Sequence, residues 1–297
     1  MNIITISIVS LAVIGAIAAL ILYVVAQRFK VVEDPRIDEV EHILPGANCG
    51  GCGKAGCRNF AESCVKAHTL EGLYCPVGGN EAMKKIAALL GKEAEETEPR
   101  LAVVRCNGNC QNRRRTNHYE GAHNCRIINS LYIGESGCAY GCLGCGDCVS
   151  ACSVGAISID PETQLPVVDI EKCGGCGACA RACPRNIIEV RKRGPKGRGV
   201  YVACMNKDKG GVARKACDVA CIGCSKCVKE CKFEAITIAN NLSYIDSDKC
   251  KLCRKCVEAC PTGAILAVNF PPKKVVEPTI PVANHTEASD GTKQALS

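Results

Sequence analysis

The sequence predicts an α+β chain in which one membrane helix precedes a string of small units, each held by something other than a large apolar core. Three observations carry this reading: an uncharged run near the amino terminus, 27 cysteines among 297 residues, and a cysteine pattern that recurs through the second half. Aromatic residues make up only 4% of the chain and tryptophan is absent, so one extensive hydrophobic core is not expected. Cysteine at this density points instead to a framework built on sulfur.

No charged residue occurs over residues 3–26, a run longer than the roughly 20 residues that cross hydrocarbon. Arg28 and Lys30 follow it closely, and nothing basic precedes it except the amino terminus. The positive-inside rule then predicts a single-pass anchor over residues 1–27, with the bulk of the chain on the cytoplasmic side of the inner membrane. A cleaved signal peptide would carry a basic leader and a shorter apolar stretch.

Disulfides need an oxidising compartment, whereas metal or iron–sulfur ligation needs thiols kept reduced, and cysteine spacing can separate the two. The formal net charge of +7 counts every thiol as neutral. A four-iron cluster on four thiolates carries roughly −2, so several of them bring the chain near neutrality, and a nucleic-acid partner is not expected.

The segment 28–92 carries "CGGCGKAGC" from Cys49 and contains Cys49, Cys52, Cys57, Cys64 and Cys75. The first three and Cys75 can surround one cubane cluster, with glycines letting the backbone wrap closely and aim N–H groups at sulfur. Zinc is the alternative for this motif, and Cys64 is the spare. Apolar spacing at Met83, Ile86, Ala87 and Leu90 predicts a helix over residues 80–90. The stretch 93–137 reads as a linker of unknown fold. Its Cys106, Cys110 and Cys125, with His118 and His123 nearby, can make a further metal site or remain unpaired thiols.

The second half repeats itself. "CLGCGDCVSAC" from Cys142, "CGGCGACARAC" from Cys173, "CIGCSKCVKEC" from Cys221 and "CKLCRKCVEAC" from Cys250 each read C-x2-C-x2-C-x3-C, followed by a run rich in Ile, Val and Ala. They group as two pairs, giving units over 138–199 and 200–268. Cys138 and Cys217 stand four residues before Cys142 and Cys221, so each is an alternative ligand to Cys145 or Cys224. "NIIEV" and "VYVAC" flank a basic Gly-rich turn and predict a β-hairpin extension, and residues 269–297 read as a disordered tail. Zinc ribbons want two cysteine pairs across a longer loop, which these repeats do not offer.

The repeats resemble bacterial two-cluster ferredoxins, whose fourth cysteine ligates the other cluster. That resemblance implies ligand sets of Cys142, Cys145, Cys148 with Cys183, and Cys173, Cys176, Cys179 with Cys152. In the second pair it implies Cys221, Cys224, Cys227 with Cys260, and Cys250, Cys253, Cys256 with Cys231. With Cys49, Cys52, Cys57 and Cys75 the total is five [4Fe-4S] clusters, a sixth metal site being possible at Cys106, Cys110 and Cys125.

The uncharged helix, the "CGGCGKAGCRNFA" motif with Cys75 and the repeats together resemble the B subunit of Rnf ion-translocating electron-transport complexes, in a long form with extra ferredoxin repeats. The resemblance covers residues 1 to about 268. It implies an electron carrier moving electrons between ferredoxin and NAD, coupled to Na+ or H+ transport, with flavins, nicotinamide site and ion path in sister subunits. The partners implied are those subunits, soluble ferredoxin and the membrane. Other readings are a polyferredoxin of a membrane hydrogenase or dehydrogenase, and a zinc-stapled adaptor. No nucleophile–base arrangement stands out, so no catalytic residue is expected here. The basic runs at residues 113–115 and 191–198 offer docking surfaces for an acidic partner, or are solvated turns.

Removing residues 1–27 is expected to release a soluble, still brown protein from membranes that retain the full chain. A purified mature protein beginning after Ala26 would instead mark the run as a cleaved leader.

Overall fold

The computed structural model describes residues 3–28 and 34–271. Its first helix, α1 (Ile3–Arg28), contains the one stretch among the described residues, Thr5–Arg28, that is long and apolar enough to cross a membrane. At 1.5 Å per residue its 26 residues extend roughly 39 Å, more than the ~30 Å of hydrocarbon. Leu11, Ile14, Leu20 and Leu22 are exposed on it.

The next unit is helical. Helices α2 (Arg36–Ile43), α3 (Cys57–Lys66) and α4 (Gly79–Leu90) pack around Val40, Phe60, Cys64, Met83 and Ile86. The helix expected over residues 80–90 is present, with Met83, Ile86 and Ala87 buried. Asn48 Oδ1 accepts the Cys57 N–H at 2.7 Å and so ties the cysteine loop to the start of α3. The helix ends against Lys92, whose Nζ donates to the carbonyls of Cys64 (2.6 Å), Val65 (3.2 Å) and Ala67 (2.6 Å). A cation among otherwise unpaired carbonyls satisfies the last turn and its dipole. Cys64 is fully buried, and burial pushes its thiol up to about 11, so the spare cysteine is a core residue.

Beyond residue 99 the chain builds one small α+β unit twice. In the first, β1 (Arg100–Val104) pairs antiparallel with β4 (Ile188–Lys192). Between them run α5 (Cys125–Leu131), α6 (Asp147–Ser150), the hairpin of β2 (Ile157–Ile159) and β3 (Pro166–Val168), and α7 (Ala178–Ala182). In the second, β5 (Gly199–Val202) pairs with β8 (Ile265–Val268). These enclose α8 (Gly210–Ala216), α9 (Lys226–Glu230), the hairpin of β6 (Ile236–Ala239) and β7 (Leu242–Ile245), and α10 (Lys255–Glu258).

Strand alternation explains how the units meet. Ala102 and Val104 face the first core beside Ile157 and Ile188, while Val200 and Val202 face the second beside Ile236 and Ile265. The opposite faces carry Leu101, Val103, Tyr201 and Ala203, which pack together between the units. Burial on both faces is why β1 reads as a continuous apolar run rather than an alternating one.

Two expectations change. Residues 93–137, read as a linker, contain β1 and α5, so the first unit draws its opening strand from residue 100 and not from 138. The strands around the basic turn do not form a hairpin: β4 closes its own unit on β1, and β5 closes the next on β8. The pairing places Ile188 in the first core and Val200 and Val202 in the second. The tail expected over 269–297 lies, from residue 272, outside the described residues.

Replacing Lys92 with Met should loosen the last turn of α3, since it removes a charged donor from three carbonyls. The loss expected is about 2 kcal/mol, read as faster amide exchange at residues 63–67 with exchange in the two later units unchanged.

Candidate metal centres

Cys49, Cys52, Cys57 and Cys75 line one pocket together with Phe60, Pro76 and Val77. The loop reaches this shape because Gly50 and Gly53 sit at φ 66° and 77°, a region costly for other residues. Cys75 accepts the Gly78 N–H at 3.4 Å.

In the first repeat unit, Cys142, Cys148 and Cys183 line a pocket together with Cys125. Helix α5 positions Cys125. Its N-cap, Asn124, accepts the Ile127 N–H at 3.0 Å, and the Asp147 carboxylate accepts the N–H groups of Cys125 (3.0 Å) and Arg126 (3.3 Å). Cys145 stands beside Cys125 within hydrogen-bonding reach, and lines the wider adjoining cavity with His118 and Tyr119.

The remaining thiols gather in crossed sets. Cys179 has Cys173, Cys176 and Cys152 as neighbours; Cys227 has Cys221, Cys224 and Cys260; Cys256 has Cys250, Cys253, Cys227 and Cys231. In three of the four repeats the fourth cysteine therefore lies with the first three of its partner, while Cys183 lies with Cys142 and Cys148. Backbone donors reach the sulfurs, Ala156 N–H to Cys152 at 3.3 Å and Ala102 N–H to Cys173 at 3.5 Å. Short helices launched from left-handed residues, Gly146, Gly177, Ser225 and Arg254, carry the third cysteine of each motif inward.

Among the described residues no three His, Cys, Asp or Glu side chains come close enough to share a single metal ion. Sulfurs spread around a wider chamber suit a four-iron cube, and the donor set, thiols with N–H groups aimed at them, is the one such a cube needs. Burial, with neighbouring thiols adding, pushes Cys148 and Cys179 up to about 11 and Cys256 up to about 12. Ligation by iron replaces those protons.

The helical unit abuts the first repeat unit through its metal loops. Cys49 and Cys176 approach within hydrogen-bonding reach, and Arg181 donates to the carbonyls of Cys49 (3.0 Å) and Cys176 (3.2 Å). The backbones lie so close that a Cβ on Gly51 would stand 2.6 Å from Cys176 Cβ, and one on Gly174 would stand 2.6 Å from Val77 Cα.

Family models match the same segments: a putative Fe-S cluster over 44–69, a 4Fe-4S dicluster domain over 141–187, and 4Fe-4S binding domains over 220–234 and 243–266. The chain is 43% identical over 259 residues to the B subunit of the ion-translocating oxidoreductase complex of Methanosarcina acetivorans, covering 87% of this chain and 96% of that one. It is 42% identical to the B subunit of the proton-translocating ferredoxin:NAD(+) oxidoreductase complex of Clostridium ljungdahlii, over 90% of this chain and 94% of the relative. The Na(+)-translocating counterpart of Acetobacterium woodii is 42% identical, over 89% and 78%.

The chain belongs to the B-subunit family of ion-translocating oxidoreductase complexes. The resemblance drawn from anchor and cysteine motifs is thereby borne out.

In this family member the cysteines left over by sequence reasoning go to different places. Cys106, Cys110 and Cys125 do not form one site. Cys125 joins the chamber of Cys142, Cys106 lies between the two repeat units, and Cys110 is exposed with its thiol on the Glu162 carbonyl at 3.0 Å. Cys138 and Cys217 face the same inter-unit space as Cys106. Cys125 was hidden because nothing in its local spacing relates it to Cys142.

The basic runs are largely structural. Arg191 is buried, paired with Glu189 at 3.1 Å and lying 4.9 Å from the Tyr244 ring centre. Lys192 pairs with Glu98, Arg193 with Glu171, and Arg113 donates to the Cys142 carbonyl. As a docking surface the 191–198 stretch therefore loses its first residue to the interior and the next two to ion pairs.

Gly51→Ala is expected to push the helical unit away from Cys176 while leaving iron content unchanged. The measurement is the magnetic interaction between reduced clusters, which should weaken; unchanged interaction would show that the loops have room to give.

Proposed function

We propose that this chain is the electron relay of a membrane complex that passes electrons between ferredoxin and NAD and couples the transfer to Na+ or H+ movement. The observation that carries this is the succession of thiol-lined chambers in contact with one another, beginning where Cys49 meets Cys176. Relatives of equal identity are named for protons in one case and Na+ in another, in keeping with an ion path in other subunits.

Five [4Fe-4S] clusters account for most of the sulfur. Cys49, Cys52, Cys57 and Cys75 hold the first, and Cys152, Cys173, Cys176 and Cys179 the next. The lining of the third chamber supports Cys125, Cys142, Cys148 and Cys183 as its ligands, with Cys145 the spare. Cys221, Cys224, Cys227 and Cys260 hold the fourth, and Cys231, Cys250, Cys253 and Cys256 the fifth. When bound, such clusters supply reversible one-electron chemistry. The chain's own residues hold them, aim N–H groups at sulfur and exclude water with Ile157, Ile188, Ile236 and Ile265. These choices set the potentials.

Helix α1 anchors the relay, with Arg28 marking the cytoplasmic end, where soluble ferredoxin delivers or collects electrons. Substrate bonds are made and broken in the partner subunits.

Protein purified without oxygen should contain at least about 20 iron atoms and as much labile sulfide, and should show interacting reduced clusters by EPR after dithionite. Zinc with little iron would overturn the relay. Within it, Cys125→Ala should remove about four iron atoms and Cys145→Ala none; the reverse result would return the ligand role to Cys145.

A further inference from the structure

Four thiols that the five clusters leave over converge between the repeat units. Cys106 and Cys138 from the first, with Cys204 and Cys217 from the second, line one pocket. Four thiols at one pocket match the pockets that gather Cys49, Cys52, Cys57 and Cys75, and Cys125, Cys142, Cys148 and Cys183.

The four are two copies of one pair. Cys106 follows the end of β1 by two residues and Cys204 follows the end of β5 by two. Cys138 and Cys217 each precede the first cysteine of their unit by four. Hydrogen bonding is duplicated as well. The Cys106 sulfur accepts the N–H of Cys142, at 3.4 Å, and that of Gly108. The Cys204 sulfur accepts the N–H of Cys221 and, at 3.4 Å, that of Asn206.

The second pair of sulfurs is also served. Asn206 Nδ2 donates to Cys138 at 3.5 Å and the Val219 N–H to Cys217. Donors on every sulfur are arranged for thiolates, not for idle core thiols. Cys64 makes the contrast, buried among Phe60, Met83 and Ile86 in the helical core. Arg113 lines the chamber and brings positive charge to it. The units are stitched together at this point, Asn107 N–H to Ala203 carbonyl at 3.0 Å and Asp218 N–H to Asn112 carbonyl at 2.8 Å.

We propose that Cys106, Cys138, Cys204 and Cys217 hold a sixth [4Fe-4S] cluster shared between the two repeat units, two ligands from each. It extends the relay reading and rests on it. Its place is one backbone N–H from Cys142 on one side and from Cys221 on the other, so it joins the third cluster to the fourth. An electron leaving a reduced neighbour oxidises that neighbour and takes this cluster from the 2+ to the 1+ state, then passes to the far side with no bond made or broken.

The full chain, purified anaerobically in detergent, should carry about 24 iron atoms and no stoichiometric zinc, falling to about 20 in the Cys138→Ala, Cys217→Ala double variant. About 20 in the unmodified chain, one zinc beside 20 irons, or a variant that keeps all its iron would overturn the sixth cluster while leaving the relay standing. Iron near zero would instead remove the relay itself. Should the double variant not accumulate, Cys217→Ser alone decides: loss of one thiolate should yield an EPR signal of a three-iron cluster in the oxidised state, and its absence overturns the proposal.

Discussion

Sulfur held at the walls of small chambers takes the place that aromatic and aliphatic side chains fill in an ordinary core. The sulfurs are supplied with N–H donors, as at Cys75, Cys152 and Cys173. Phe60, Ile157, Ile188, Ile236 and Ile265 pack with these cysteines in the cores of their units. A chain with 4% aromatic residues folds on these terms because each cluster supplies both bulk and bonds across a unit that lacks apolar area.

Close backbone approach then fixes how the chambers follow one another. Gly51 and Gly174 let the helical unit sit directly on the loops of the first repeat unit, and Arg181 spans the seam. Electron transfer weakens steeply with separation, so glycine at a seam is a functional choice as much as a conformational one. The two repeat units meet differently, through apolar faces of β1 and β5 and through the chamber of Cys106, Cys138, Cys204 and Cys217.

A charged cluster fixes the second hairpin against the first unit. Arg105 and Arg191 lie 5.0 and 4.9 Å from the Tyr244 ring centre, and Glu189 accepts from the Tyr244 hydroxyl at 2.7 Å while pairing with both arginines. Burial acts to raise the Glu189 pKa, but the Tyr244 hydrogen bond and the two guanidinium groups hold it below the usual carboxylate range. Buried pairs of this kind contribute orientation more than stability. Arg191, which looks from sequence like part of a docking surface, is thus part of the joint.

The anchor, the single-cluster motif and the four repeats were legible in the chain before any folding, because each depends on local spacing: an uncharged run, C-x2-C-x4-C, and C-x2-C-x2-C-x3-C. The same spacings carried the family. Where the cysteines outside those motifs go was not legible, and the folded units decide it. Cys125 reaches Cys142 through a separate helix, and Cys106 reaches Cys217 through the pairing of β1 with β4 and the packing of β1 on β5. No periodicity links residues so far apart, since their meeting depends on how whole units close and stack. Duplication left a trace at Cys138 and Cys217, but their convergence required two folded units to face one another.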